Sequence, residues 1–235
     1  MKPVTHTSSL KLSVGAPWEI YRVETPRGVV DLYTKSGNLG VYATLLVLVP
    51  DYDLGWVMLS AADNAGTANV GLHIMTSLIA DVFLPAAEAA AKDEAAAVFG
   101  GTYKATNGLN SSISIITDES PGLGIQSLIS NGTDMFESYL HSVGLTSGTN
   151  SLSIRLYPTN LVQTSPRQQA FRAVFEVLPT RDRSGVFSAC TSWGGVDAVL
   201  YGNVALDEFL FHFDQYGRAV SVEPRFLRVN LQKVV

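Results

Sequence analysis

The chain has 235 residues, and charged side chains make up only 16% of them, against about 25% in an average soluble domain. Apolar residues reach 46%, so the chain can bury a sizeable core and is not expected to be disordered. The net charge is −5 and the basic residues are scattered, which excludes a basic stripe and argues against a nucleic-acid partner. The single cysteine, Cys190, excludes an internal disulfide and cysteine-based zinc clusters.

The N-terminal residues carry no apolar segment of the kind that opens a secretory signal. The longest unbroken apolar run, residues 45–50, is far shorter than the roughly 20 residues of a membrane span. We therefore expect a cytoplasmic protein without membrane contact.

The first segment of the chain is rich in strand patterns. Residues 18–23 alternate between apolar and polar side chains, and residues 29–34 return after a turn, which predicts a hairpin. Residues 42–49 and 54–60 predict two more strands. Because residues 42–49 are almost continuously apolar, we expect their sheet to be buried on both faces.

A helical segment follows. Its apolar side chains predict one broad face that packs on the sheet: Val70, Ile74, Leu78 and Val82, with Met75, Ile79 and Phe83 beside them. Pro85 is expected to break or restart the helix, and the alanine-rich residues 86–97 predict a surface connector helix.

The remainder of the chain shows strand-like runs separated by turn residues. These runs are residues 112–117, 123–130, 151–157, 170–178, 196–203, 206–214 and 226–234. Such spacing is typical of an antiparallel sandwich or barrel. The sequence thus predicts an α+β protein with two domains: residues 1–98, a sheet with one long helix and its linker, and residues 99–235, a β-rich domain.

One motif carries a resemblance to a known family. Residues 35–37 read Lys-Ser-Gly near the end of a strand, and an apolar strand, the run Pro-Asp-Tyr-Asp-Leu-Gly at 50–55, a second apolar strand and a helix follow. This order resembles the third motif of the serine β-lactamase and penicillin-binding-protein family. Residues 15–21 and 99–103 look like fungal members, in which a linker helix leads into a C-terminal β-domain of sandwich or lipocalin-like form.

The resemblance implies a role for each residue of this wall. Lys35 would help to hold a substrate carboxylate and bias nearby proton transfers, and Ser36 would donate a hydrogen bond to substrate. Gly37 would keep the wall free of a Cβ, and the N–H of Asn38 would help to form an oxyanion hole. Tyr42 would complete the same wall.

The family's nucleophile lies in a Ser-x-x-Lys motif at the start of a buried helix, well before the third motif. Residues 8–11 match that spelling and residues 201–203 match the Tyr-x-Asn motif, but their surroundings and order do not fit the family. We therefore expect a truncated relative of acyl hydrolases that is not a serine hydrolase by itself.

Other candidate chemistry lies in the β-rich segment. His212 and Asp214 alternate with phenylalanines and would share one strand face, either as an acid–base pair or as a polar outer face. Trp193 precedes two glycines and would line a pocket or pack in the core. No two histidines have metal-ligand spacing, so no metal and no cofactor are expected.

Two further functions stay open. The chain could be a repurposed binder, cyclase or isomerase of secondary metabolism that acts on a small apolar metabolite in the β-domain or the residual cleft. It could also be a structural or interaction module for a partner enzyme. Because the family sheet is completed by earlier parts of the chain, we expect an open edge near residues 18–34 and a homodimer or a partner chain.

Overall fold

The computed structural model describes residues 3–25, 28–148, 150–159, 167–178 and 193–234. Cys190 is not among these described residues. The fold is α+β. Internal contacts divide the chain into two units, Met1–Ala91 and Lys92–Val235, whereas the sequence pattern suggested a boundary at residues 98 and 99. Each unit has its own hydrophobic core.

The first unit contains a six-stranded antiparallel sheet in which each strand pairs with the next along the chain. The strands are β1 (Thr5–His6), β2 (Leu12–Val14), β3 (Glu19–Thr25), β4 (Gly28–Leu39), β5 (Tyr42–Val49) and β6 (Leu54–Ala61). The four predicted strands are present, and two short strands precede them. The hairpin of β3 and β4 is therefore internal to the sheet, and among the described strands the long unpaired edge is β6 rather than the region of residues 18–34 that we expected.

Strand β5 supplies most of one buried face. Ala43, Leu45, Val47 and Val49 are almost inaccessible, whereas Leu46, on the other face, is only half-buried. The apolar run in this strand thus reflects one fully covered face and one partly covered face, not the equal burial that we expected.

Helix α1 (Ala65–Phe99) covers the buried face of the sheet and spans 35 residues without a break. Asn64 begins it by accepting a hydrogen bond from the backbone N–H of Thr67 at 2.9 Å. Pro85 lies inside the helix and does not end it, contrary to the prediction. Pro85 and Asp81 are both exposed, so water can bond the carbonyl that the proline leaves without a donor.

The helix packs on the sheet with a different face from the predicted one. Its buried side chains are Ala68, Leu72, Ala80 and Leu84. The predicted stripe is exposed: Val70, Ile74, Leu78 and Val82 are each 55–64% accessible. By length and composition alone, Gly66–Phe99 is also apolar enough to cross a membrane, although one face of it packs on the sheet in this fold.

The second unit is a closed antiparallel barrel, which decides between the two predicted architectures. Its described elements in chain order are β7 (Gly101–Lys104), β8 (Ser112–Ile116), β9 (Leu123–Ser130), β10 (Thr133–Asp134), α2 (Met135–Ser142), β11 (Ser151–Pro158), β12 (Gln168–Leu178), β13 (Leu200–Tyr201), β14 (Val204–Ala205), β15 (Glu208–Phe213), β16 (Ala219–Pro224) and β17 (Leu231–Lys233). The eight barrel strands pair in the cyclic order β9, β11, β12, β15, β16, β17, β7 and β8, which returns to β9.

Aromatic side chains fill the described part of the barrel interior. Phe99, at the end of α1, makes edge contacts with Phe171, Phe211 and Phe213 at 5.0–5.8 Å between ring centroids. The hydroxyl of Tyr103 donates to the carbonyl of Phe99 at 2.6 Å, and burial raises the pKa of this phenol above its usual value. The interior is a packed core at this level.

The C-terminal strands differ from the prediction. The region of residues 196–203 contains only the two-residue strand β13, and the run 226–234 contains only β17. A short 3₁₀ turn, Arg225–Leu227, ends in a left-handed residue, Arg228, which stops an extended run there. Strand β16 and helix α2 were not predicted.

Candidate functional site

The Lys-Ser-Gly motif lies on β4 where that strand loses one of its two neighbours. Strand β3 pairs with β4 only as far as Thr34, opposite Glu19. Strand β5 continues to pair with β4 as far as Leu39, opposite Tyr42. Among the described strands, residues 35–39 therefore have one unpaired backbone edge, from which N–H and C=O groups can reach a ligand.

Lys35 lies beside this edge and is half exposed. Its Nζ is 3.4 Å from Oε1 of Glu19 and donates to the carbonyl of Ser36 at 3.1 Å. An ion pair this exposed contributes about 0–1 kcal/mol, so a substrate carboxylate could replace Glu19 as the partner.

Gly37 is needed for packing as well as for access. A Cβ at this position would lie 2.9 Å from Oγ1 of Thr44, the hydroxyl that donates to the Gly37 carbonyl at 3.2 Å. Any larger residue would displace Thr44 and with it this cross-strand bond between β4 and β5.

The wall residues divide between the two faces of the sheet. Side chains alternate along β4, so Lys35 lies on the face opposite α1, whereas Ser36 and Asn38 lie on the α1 side. Tyr42 shares the face of Lys35 and is 61% exposed. Further apolar side chains extend this uncovered face on β6: Val57, 60% exposed, and Leu59, 77% exposed.

The two sequences that match other family motifs lie elsewhere. Residues 8–11 form the turn between β1 and β2, in which the N–H of Lys11 bonds Oγ of Ser9 at 3.2 Å, and no helix begins there. Residues 201–203 lie in the β13–β14 hairpin of the second unit. Residues 8–11 therefore lack the helix N-terminus that the nucleophile requires, and residues 201–203 lie in the β-rich unit, after the third motif.

His212 and Asp214 have separate partners. Nδ1 of His212 lies 3.3 Å from the Gln168 amide, and its Nε2 lies 3.8 Å from a carboxylate oxygen of Glu223. The Asp214 carboxylate instead accepts two backbone hydrogen bonds in the turn that follows β15, and these bonds lower its pKa below the usual value. The structure does not join the two side chains as a pair.

Trp193 begins a short 3₁₀ turn, Trp193–Gly195, and its side chain lies outside the described part of the structure. Within the described ranges, no three histidine, cysteine, aspartate or glutamate side chains are grouped as a metal site requires. The expected lack of a metal or cofactor stays a prediction.

One site-like feature was missed by the sequence analysis. A cleft of about 590 Å³ lies on the barrel between the β13–β14 hairpin and the end of β16. Arg225 and Arg228 line it together with Glu208. Two arginines three residues apart at the end of a strand were the available signal.

The comparisons with known proteins agree with the motif. The family described as "Beta-lactamase-like-like, C-terminal domain" matches residues 91–235, which is more than half of the chain. The chain belongs to this β-lactamase-like family. The matched region contains the whole barrel, whereas the Lys-Ser-Gly strand lies before it.

Full-length relatives match nearly all of the chain. A "Beta-lactamase-like protein" of Arthroderma benhamiae is 29% identical and is matched over 98% of this chain and 43% of its own length. A "Probable hydrolase" of Cochliobolus lunatus is 28% identical, with 94% of this chain and 38% of the relative covered. Another "Probable hydrolase", from Phoma sp., is 29% identical, with 94% and 39% covered.

The chain thus spans about two fifths of the length of the relatives that it matches. No solved structure matches it significantly.

Proposed function

We propose that this chain supplies one wall of a serine acyl-hydrolase site of the β-lactamase-like type, and that residues outside these 235 supply the nucleophile. The observation that carries the proposal is the unpaired edge of β4 at residues 35–39, with Lys35 beside it. An open strand edge presents backbone N–H groups to a carbonyl oxygen, and an adjacent ammonium attracts a carboxylate. These are the two contacts that an acyl substrate with a carboxylate needs.

The weak pairing of Lys35 supports this assignment. Its only described acidic partner is Glu19, at 3.4 Å, and both side chains are nearly half exposed. An ion pair this exposed contributes little to stability, so the ammonium can exchange Glu19 for a substrate carboxylate at little cost. The apolar face around it, formed by Tyr42, Val57 and Leu59, suits a cover that excludes water from the reaction.

The length of the relatives supports the second half of the proposal. They contain more than half of their residues outside the matched region. Within the described ranges of this chain, no Ser-x-x-Lys sequence begins a helix. We therefore assign the nucleophile to a region that corresponds to the rest of the relatives.

The experiment compares the 235-residue chain with a longer protein that also carries that region, using a chromogenic β-lactam and a p-nitrophenyl ester. We expect no turnover by the 235 residues alone. In the longer protein, Lys35→Ala should lower kcat/KM by about 10²-fold, the scale of one lost electrostatic contact in the transition state. Lys104→Ala, an exposed lysine on the barrel, is the matched control.

The proposal would be overturned if the purified 235-residue chain turned over either substrate and its Lys35→Ala variant did so equally well. So would an equal loss of activity in the two lysine variants of the longer protein.

The same proposal predicts assembly. The edge of β6 and the exposed stripe of α1 are surfaces that the proposed nucleophile-bearing region or a second chain would cover. The 235 residues alone should therefore form a homodimer or a larger assembly in solution. Size-exclusion chromatography with light scattering that gives a stable monomer would contradict this part.

A further inference from the structure

The cleft on the barrel has the charge arrangement of a binding site that the β-lactamase-like motif does not account for. Its volume, about 590 Å³, lies within the range of about 300–1,000 Å³ that is usual for ligand pockets. All of its lining residues belong to the second unit, far along the chain from Lys35. The cleft is therefore separate in the chain from the Lys-Ser-Gly strand.

The lining of the cleft includes Arg228, whose guanidinium has no partner among the described residues. Arg228 follows the 3₁₀ turn in a left-handed conformation, with φ of 52°, and its N–H bonds the Arg225 carbonyl. Its Nη2 lies 3.5 Å from the position that a Cβ on Gly202 would occupy, so the guanidinium lies against the β13–β14 turn. Among the described residues, its side chain has no ion pair or hydrogen bond.

The same lining also carries two carboxylates beside Arg225, which is one negative charge more than this arginine can neutralise. Arg225 lies between two carboxylates, at 2.8 Å from Glu223 and 4.0 Å from Glu208. A single guanidinium cannot neutralise both carboxylates. The shorter distance shows that Arg225 pairs mainly with Glu223. Glu208 therefore has the weaker ion pair with Arg225. Its side chain is 41% exposed, and it lines the cleft.

Three of the described lining residues are apolar, and the wall beside them is fixed. Leu200, Val204 and Ala205 of the hairpin supply the apolar surface. Next to them the buried carboxylate of Asp207 accepts hydrogen bonds from Arg172 at 3.0 Å and from the N–H of Asp197 at 3.2 Å. Such a satisfied buried network holds a wall in one conformation before any ligand arrives.

We propose that this cleft binds a small aliphatic zwitterion, of the chemical class of a free amino acid with a branched side chain. The carboxylate pairs with Arg228, the ammonium lies toward Glu208, and the side chain lies on Leu200 and Val204. An anion alone would leave Glu208 unmatched, and a cation alone would leave Arg228 unmatched. Complementarity to both charges is what selects the zwitterion.

Calorimetric titration of the whole chain with three probes tests this. Leucine carries both charges, isocaproate lacks the ammonium, and isoamylamine lacks the carboxylate. We expect leucine to bind at least about tenfold more tightly than either, because each lost charge-assisted hydrogen bond is a substantial part of the affinity.

Variants test the two charged side chains separately. Arg228→Ala should lower the affinity for leucine by about tenfold or more. Arg218→Ala, which changes another exposed arginine of the barrel, should leave it unchanged. Glu208→Gln should lower the affinity for leucine but not that for isocaproate. Circular dichroism and thermal melting of each variant show whether it is folded.

Equal affinities for leucine and isocaproate would overturn the proposal that the ligand is a zwitterion. Unchanged leucine affinity in folded Arg228→Ala, or no heat from any probe at millimolar concentration, would overturn the site. None of these readings depends on hydrolase activity, so the proposed function can fail or stand independently.

Discussion

The hydroxyl of Tyr52 donates a hydrogen bond of 3.0 Å to Oε1 of Glu88, a residue that is only 7% exposed. Tyr52 lies in the 3₁₀ turn between β5 and β6, and Glu88 lies on α1 one turn after Pro85. A buried carboxylate is costly unless donors satisfy it, so this bond stabilises the helix beyond the proline against the sheet.

Tyr52→Phe removes that donor and leaves the carboxylate in place. We expect the free energy of unfolding to fall by about 1–3 kcal/mol, measured by urea denaturation of the chain. Tyr42→Phe is the control, because Tyr42 is 61% exposed and its change should stay within about 0.5 kcal/mol. Equal effects of the two variants would show that the bond to Glu88 does not matter for stability.

Gly122 and Gly144 share a backbone conformation but differ in surroundings. Their φ angles are +74° and +75°, in the region that L-residues disfavour. A Cβ on Gly122 would lie 2.8 Å from the backbone oxygen of Leu156, whereas no atom of the described residues lies within 4 Å of one on Gly144. Gly144→Ala should therefore cost about 1 kcal/mol of unfolding free energy, from the left-handed conformation alone.

Gly122→Ala should cost clearly more, about 2–4 kcal/mol, because a strand backbone must also move. Thermal and urea denaturation of both variants measure the difference. Equal destabilisation would mean that β11 can move without strain. The close approach of Gly122 to the backbone oxygen of Leu156 would then be unimportant for stability.

Asp118 and Arg155 form a two-pronged ion pair that holds the loop before β9 to β11. The Arg155 guanidinium holds the pKa of the Asp118 carboxyl below its usual value. A lowered native pKa means that the carboxylate stabilises the fold above its unfolded pKa, about 4, and that this contribution is lost as the pH falls further.

Asp118→Asn should therefore be less stable than the wild type at neutral pH, with the difference shrinking as the pH falls below about 4. Denaturation at a series of pH values measures it, with Asp93→Asn, an exposed carboxylate of α1, as the control. A difference that is constant with pH would assign the effect to packing and not to the charge.

The strands of the first unit could be predicted because their signal is local. Alternation and turn residues define β3 to β6, and the Lys-Ser-Gly motif lies on β4 as expected. The unpaired edge could not be predicted, because it depends on Glu19 being the first residue of β3. Which backbone groups remain available is a matter of pairing between strands, and side-chain patterns do not report it.

The barrel shows a second limit. Its strands were mostly visible as runs, but closure depends on the pairing of β8 with β9 and of β17 with β7, which local patterns do not specify. Strand β16 was missed, and its burial does not follow its apolar residues: Val220 is 41% exposed, whereas Ser221 and Val222 are both buried. A sandwich and a barrel share the same local signals, so the sequence left both open.

The orientation of α1 could not be read from periodicity, since the helix is apolar on nearly every side. The choice between the stripe of Leu78 and that of Leu72 depends on fit. Small residues, Ala68 and Ala80, lie on the buried side and let the helix approach the strands closely. The larger side chains then remain outside, where only another segment or chain can cover them.

Two alanine substitutions on this helix measure the difference between its faces. Leu72 is 3% exposed and Leu78 is 55% exposed. Leu72→Ala should lower the free energy of unfolding by about 2–5 kcal/mol, because it leaves a cavity against the sheet. Leu78→Ala, at the same helix propensity, should change it by less than about 1 kcal/mol in a monomer.

The concentration dependence of these values separates the fold from its assembly. If the Leu78 stripe is covered by a second chain, Leu78→Ala should weaken association, and its effect on melting temperature should grow as protein concentration rises. The effect of Leu72→Ala should be present at every concentration, since that side chain packs within the chain. A large, concentration-independent loss in Leu78→Ala would show that this stripe, and not that of Leu72, faces the sheet.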